Sequence, residues 1–263
     1  MNNKLAITVI HGIGSMKDAS EFNKTVNKLK GNVHKRLKKK YDIDEDQLDW
    51  QPIFWSDITQ PKQDLYFDQI KNSTDWNKLR KFIVSFLSDA TAYRQTSRPD
   101  VYPVYEKINE RIEQSMSQLL TGIGNENTPL LVLGHSLGCH IMTNYIYDRQ
   151  NSGEPDSFKN FSTMKGLITF GNNMPLFAMA YDNIVPISLP NGCLWNNVYD
   201  EDDVLGYPLK PLSGYDNLAG LKDIKIDSGS AWTMWNPLSH NGYWTDGSFA
   251  KIVAKEVDRI LNN

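Results

Sequence analysis

Residues 129–145, P-L-L-V-L-G-H-S-L-G-C-H-I-M-T-N-Y, change their hydrophobic period abruptly. Leu130, Leu131, Val132 and Leu133 form an unbroken apolar run, the pattern of a central parallel strand covered on both faces. From Leu137 onward the spacing becomes helical, with Ile141, Met142, Tyr145 and Ile146 on one face. Between the runs lies Gly134-His135-Ser136-Leu137-Gly138. A Cβ at Gly134 or Gly138 would collide with the neighbouring strand or helix in so tight a turn. A chain that passes from a buried strand to a helix in this way is committed to an α/β architecture. Ser136 is expected to project from the sheet edge beside a helix N-terminus, where partial positive charge favours a developing anion.

Around this stretch the other elements alternate. Residues 5–10 read as a strand running into His11-Gly12-Ile13-Gly14. Residues 20–41 read as a helix with Phe22, Val26, Leu29, Val33 and Leu37 inward and a basic, solvated end at Lys35, Arg36, Lys38, Lys39 and Lys40. A second strand spans 50–55. Residues 58–102 exceed what a strand-to-helix connection needs, and they carry a helical apolar stripe at Leu79, Phe82, Ile83, Phe86, Leu87 and Ala90. Such an insertion serves equally as added core or as a cap over a site, and in the second case Phe82 and Phe86 would receive the apolar part of a substrate. A helix bearing Val104, Ile108, Ile112, Met116 and Leu119 leads to the serine turn. Strands at 166–170, 193–199 and 223–227 and a closing helix at 249–261 follow. The expectation is one α/β domain over 1–263, with a compact, mostly parallel sheet of about six strands and a helical insertion at about 58–102.

Composition narrows the function classes. A net charge of −3 gives no electrostatic footprint for nucleic acid. No apolar run reaches the length of a membrane span, and the chain enters its first strand without an apolar leader, so an expectation of a cytoplasmic protein follows. Cys139 and Cys193 fall in segments expected to be buried and read as core residues. No metal-ligand spacing or cofactor motif occurs, and none is expected. Oligomeric state has no signature.

A serine hydroxyl needs a general base within hydrogen-bond reach, most often histidine. Of five histidines, His11 belongs to the glycine loop, His34 to a solvated helix, His135 to the serine turn and His140 to the helix after it. Only His240, in S-H-N-G-Y-W, lies on a loop between the last strand and the closing helix. The acid that orients it should end a strand between serine and histidine. Asp200, Glu201, Asp202 and Asp203 cluster at such a place.

Taken together, strand-H-G-I-G, strand-G-H-S-L-G, strand-V-Y-D-E-D-D-V and S-H-N-G-Y-W resemble the α/β-hydrolase superfamily, and more narrowly its lipase-like serine esterases. The motifs span residues 5–244. The resemblance implies hydrolysis of an acyl ester through an acyl-enzyme, with Ser136 as nucleophile, His240 as base and Asp202 as orienting acid. Asp202 is preferred because in lipase-like sequences the acid commonly stands two residues before an apolar residue, here Val204; Asp203 is the second choice. It also implies an oxyanion hole from the backbone N–H groups of Ile13 and Leu137. Thioester hydrolysis and acyl transfer use the same group of residues, and a non-catalytic binding protein can share the scaffold.

Overall fold

The computed structural model describes residues 4–12, 16, 18–70, 78–95, 103–152, 161–228 and 239–262, and of 78–82 the backbone alone. Six parallel strands form one sheet in the order β2-β1-β3-β4-β5-β6. They are β1 (Leu5–Ile10), β2 (Leu48–Ile53), β3 (Leu130–His135), β4 (Met164–Phe170), β5 (Leu194–Tyr199) and β6 (Leu221–Lys225). The helices are α1 (Ala19–Tyr41), α2 (Gln60–Ile70), α3 (Lys78–Ala92), α4 (Val104–Ile123), α5 (Leu137–Ser152), α6 (Met174–Ala178) and α7 (Gly247–Asn262).

Each face of the sheet has its own apolar cluster, and the alternation along the central strands assigns side chains to one or the other. Leu5, Ile7 and Val9 of β1 and Leu131 and Leu133 of β3 pack with α1 and α7. Ala6 and Ile10, with Leu130 and Val132, pack with α4 and α5. On β4 a register shift opposite Leu130/Leu131 resets the parity, so Met164 and Leu167, three apart, share a face. Full burial on both faces explains why β1 and β3 read as continuous apolar runs. Pro52 is tolerated in β2 because that strand is at the edge.

Helix ends follow the local chemistry. Asp18 caps α1 by accepting the Glu21 N–H at 2.9 Å, three lysines occupy its last turn, and Asp42 closes it at φ 53°. Within the insertion, the Gln63 amide of α2 donates to Asp89 of α3. Phe86 is half-buried against the α4/α5 cluster, whereas Ile83 and Leu87 are exposed, so the α3 stripe is only partly inward. Among the described residues no helix is long and apolar enough to cross a membrane, and both cysteines are buried and unbridged.

Connections explain where a site can form. From β1 the chain moves through α1 to β2 on one side; from β3 it moves the other way through β4, β5 and β6. The strand order therefore reverses between β1 and β3, and in open parallel sheets the crevice at the carboxyl ends of such a pair is where ligands bind. Those ends are His11-Gly12 and His135-Ser136.

Candidate active site

The turn after β3 places Ser136 in the left-handed region, at φ 54°, a conformation that costs a non-glycine residue free energy and persists only where its surroundings impose it. Two contacts impose it here. The Ser136 N–H donates to Phe170 O of β4 at 3.0 Å, and the Ser136 carbonyl accepts from Cys139 at 2.9 Å, which starts α5. The loop after β1 lies directly against the turn. A Cβ on Gly12 would stand 2.3 Å from Ser136 Cβ, and one on Gly138 would stand 2.4 Å from His11 O, so neither position admits a side chain.

His11 anchors that loop and is not a free base. Its Nδ1–H donates to Gly12 O at 2.6 Å, its Nε2 accepts the Trp55 N–H at 3.2 Å, and the Trp55 indole donates to His11 O at 2.9 Å. Burial lowers its pKa to about 4 against the smaller opposing effects of the Gly12 carbonyl and Asp57, which keeps the ring neutral as both bonds require.

His240 comes from the turn Ser239–Trp244, after β6. Its Nδ1 lies 2.9 Å from Asp203 Oδ2 and 3.0 Å from Oδ1, so the Nδ1–H donates to the carboxylate and leaves Nε2 as the ring's other nitrogen. Neither His240 Nε2 nor Ser136 Oγ has a hydrogen-bond partner among the described residues. Both side chains are deeply covered, at 3% and 1% exposure. Chain neighbours link the two turns. The His135 Nε2–H, next to the serine, donates to His240 O at 2.9 Å, and a Cβ on Gly171 would touch His240 Cε1 at 3.0 Å.

The aspartate that meets His240 is Asp203, the second choice of the sequence reading, and not Asp202. Asp202 is exposed, and its N–H donates to Asp200 Oδ1 at 3.0 Å; Asp203, 3% exposed, faces His240. The cause is a turn in which Asp203 N–H donates to Asp200 O at 3.2 Å. That bond folds the fourth residue of the run back over the strand end and leaves the third outward. Asp203 also accepts from Leu205 N–H at 3.0 Å and from Tyr243 Oη–H at 3.0 Å. Burial pushes its carboxyl up, but the His240, Leu205 and Tyr243 hydrogen bonds and the imidazole charge outweigh it and hold the pKa below the usual range.

The remaining acids have other work. Asp200 accepts from Ser228 N–H at 2.7 Å and Ser228 Oγ at 2.8 Å, and Glu201 pairs with Lys225. Asp223 accepts the Leu209 and Lys210 N–H groups at 2.9 and 2.8 Å, tying down the segment beyond Asp203.

Three residues around His240 and Asp203 were given no role from sequence. Tyr243 bridges Asp203 to the Asp200 N–H, which donates to its Oη at 3.0 Å. His135 is held neutral, its pKa lowered to about 3 mainly by burial and by nearby His240. Gly171 leaves room for the His240 ring. Tyr243 had a readable signal: it stands three residues after His240, the spacing that one tight helical turn brings onto a common side.

Other expected residues lie as follows. Leu137 is buried at the start of α5, where helix geometry leaves its N–H without an intrahelical acceptor. Ile13 and the Phe82 side chain lie outside the described residues. His140 stacks on Phe177 at 4.4 Å and contacts Asn144 at 3.2 Å, and His34 pairs with Glu45 at 3.0 Å. Among the described residues no group of three His, Cys, Asp or Glu side chains is placed to hold a metal. Neither of two surface hollows, one on α4 and one between α4 and α5, is lined by Ser136 or His240. No protein-family model matches the chain, and no curated protein matches its sequence.

Proposed function

We propose that this protein is a serine hydrolase on an α/β-hydrolase scaffold, cleaving acyl esters through a covalent acyl-enzyme. The observation that carries the reading is one relationship: a serine in a left-handed strand-to-helix turn, at the reversal of strand order, whose chain neighbour His135 hydrogen-bonds the backbone of His240, an imidazole with its Nδ1 on a buried carboxylate. Each feature alone has structural explanations; their convergence at one sheet edge is what acyl transfer needs.

In this reading His240 Nε2 takes the Ser136 proton as Oγ attacks the ester carbonyl. Asp203 keeps the imidazole oriented and stabilises its charged form. The oxyanion develops at the N-terminus of α5, where the Leu137 N–H receives it. Collapse expels the alcohol, protonated by His240, and leaves the acyl group on Ser136. Water, deprotonated by His240, then releases the acid. The neutral His135 holds the base by its backbone and takes no part in proton transfer, since its Nε2 proton is committed to His240 O.

Turnover of p-nitrophenyl esters from acetate to dodecanoate tests the reading. Wild-type protein is expected to release nitrophenol from at least one of them, and Ser136→Ala to lose about a thousandfold or more. Equal rates in both proteins would contradict it.

A further inference from the structure

Asn173, like Ser136 Oγ and His240 Nε2, is buried without a hydrogen-bond partner, and among the described residues it alone has both side-chain polar atoms in that state. This amide is 0% exposed, and neither its nitrogen nor its oxygen has a hydrogen-bond partner among the described residues. Burying a carboxamide in that state costs free energy, and a position that tolerates the cost calls for a reason. Local structure offers Asn173 an outlet that it does not take. It stands at the N-cap of α6, where asparagine commonly bonds a backbone N–H of the first turn, yet its side chain makes no cap bond. Its backbone alone serves the turn, accepting from Leu176 N–H at 3.0 Å.

Its neighbours locate it. Phe170 O receives the Ser136 N–H, and Gly171 lies against the His240 ring. Asn172 turns toward β5, donating to Asn197 Oδ1 at 3.0 Å. Met174 turns toward α5, where Thr143 Oγ1 approaches its sulfur at 3.5 Å. Asn173 is thus held between the strand that leads to Asp203 and the helix that follows Ser136, two residues beyond the one that lies against the His240 ring.

Resting on the hydrolase reading, we propose that Asn173 is a substrate-binding residue of this site, whose carboxamide hydrogen-bonds a hydroxyl or amide carried by the ester close to its scissile bond. A carboxamide offers a donor and an acceptor together, which matches groups that do the same and gives nothing to a plain alkyl chain. A site with such a group left unpaired discriminates against the analogue lacking the hydroxyl.

The test compares kcat/KM for propyl butyrate, propyl 3-hydroxybutyrate and glycerol monobutyrate in wild type, Asn173→Ala and the near-isosteric Asn173→Leu. The second ester places the hydroxyl on the acyl side and the third on the alcohol side. Wild type is expected to prefer one hydroxylated ester over propyl butyrate by about tenfold or more, and both variants to lose that preference. Melting temperatures should stay level or rise, because removing an unsatisfied buried amide relieves its desolvation cost. A preference unchanged in the variants, or no preference in a wild type that cleaves propyl butyrate, overturns this proposal and leaves the hydrolase reading standing. Failure of wild type to cleave any of the three overturns this proposal, and failure on the p-nitrophenyl esters as well overturns the hydrolase reading with it. A fall of more than about 4 °C in both variants marks a structural amide and also overturns it.

Discussion

Asp203 receives the His240 Nδ1–H at 2.9 Å, while Asp202, its chain neighbour, is exposed and bonds the turn through its backbone N–H. Asp203→Asn should therefore lower kcat by about three to four orders of magnitude, since the amide removes the charge that stabilises imidazolium and invites the wrong tautomer. Asp202→Asn should stay within about twofold, as an exposed surface change. Steady-state kinetics on the two variants decides, and the reverse ranking would move the role back to Asp202.

Tyr243 Oη sits between a donor and an acceptor of the same loop, taking the Asp200 N–H and giving its own proton to Asp203 Oδ2, both at 3.0 Å. Tyr243→Phe keeps the ring contacts to Phe170 and Phe249 and removes only the hydroxyl. The carboxylate then loses one of the bonds that depress its pKa, so its protonation moves to higher pH. The acid limb of the kcat/KM profile should shift upward and kcat fall about tenfold. A lower kcat with an unshifted limb would assign Tyr243 a packing role alone.

Much of this site is legible before any coordinates. Ser136 and His240 stand out as candidates because each combines a residue type with a place in a strand or loop order, and Ser136 falls where an unbroken apolar run gives way to a helix. The acid is not separable from its neighbour because Asp202 and Asp203 differ only in which turn position they occupy. That depends on the Asp203-to-Asp200 backbone bond, not on hydropathy. The insertion misleads for another reason. Its six apolar positions look like one stripe, but Phe86 packs inward while Ile83 and Leu87 face solvent, a choice made by the neighbouring helices. Asn173 has no sequence signal, since an asparagine after a strand reads as ordinary turn chemistry.

Buried His11 and His135 and the partly buried His140 should give the fold an acid sensitivity that starts well above the carboxylate range. Burial is the main cause of lowering His11 to about 4, His135 to about 3 and His140 to about 4. The unfolded chain binds these protons near pH 6.5 and the folded chain does not until pH 3–4, so stability is fully present above about 6.5 and is lost on acidification through that window. The limiting slope is of order 4 kcal/mol per pH unit for three such groups. Urea midpoints measured from pH 8 to pH 5 should fall steeply below about 6.5; a flat series would show that these rings titrate normally.

Phe86 is half-buried against the cluster that includes Tyr93, Tyr105 and Trp55. Phe86→Ser should cost about 2 kcal/mol or more in urea unfolding, as a large apolar contact is lost. Its preference between short and long esters separates core from substrate surface. An unchanged chain-length profile assigns Phe86 to packing, and a selective loss on long esters assigns it to the acyl pocket.

Covalent capture of Ser136 tests the account most directly. A small fluorophosphonate, incubated with the intact protein and read by peptide mass spectrometry, requires a nucleophilic serine, a base and an oxyanion site but no knowledge of the natural substrate. The account predicts a single adduct on Ser136, absent in Ser136→Ala and formed at least about a hundredfold more slowly in His240→Ala. An unlabelled Ser136 in folded wild-type protein, or labelling that is indifferent to His240, would contradict it.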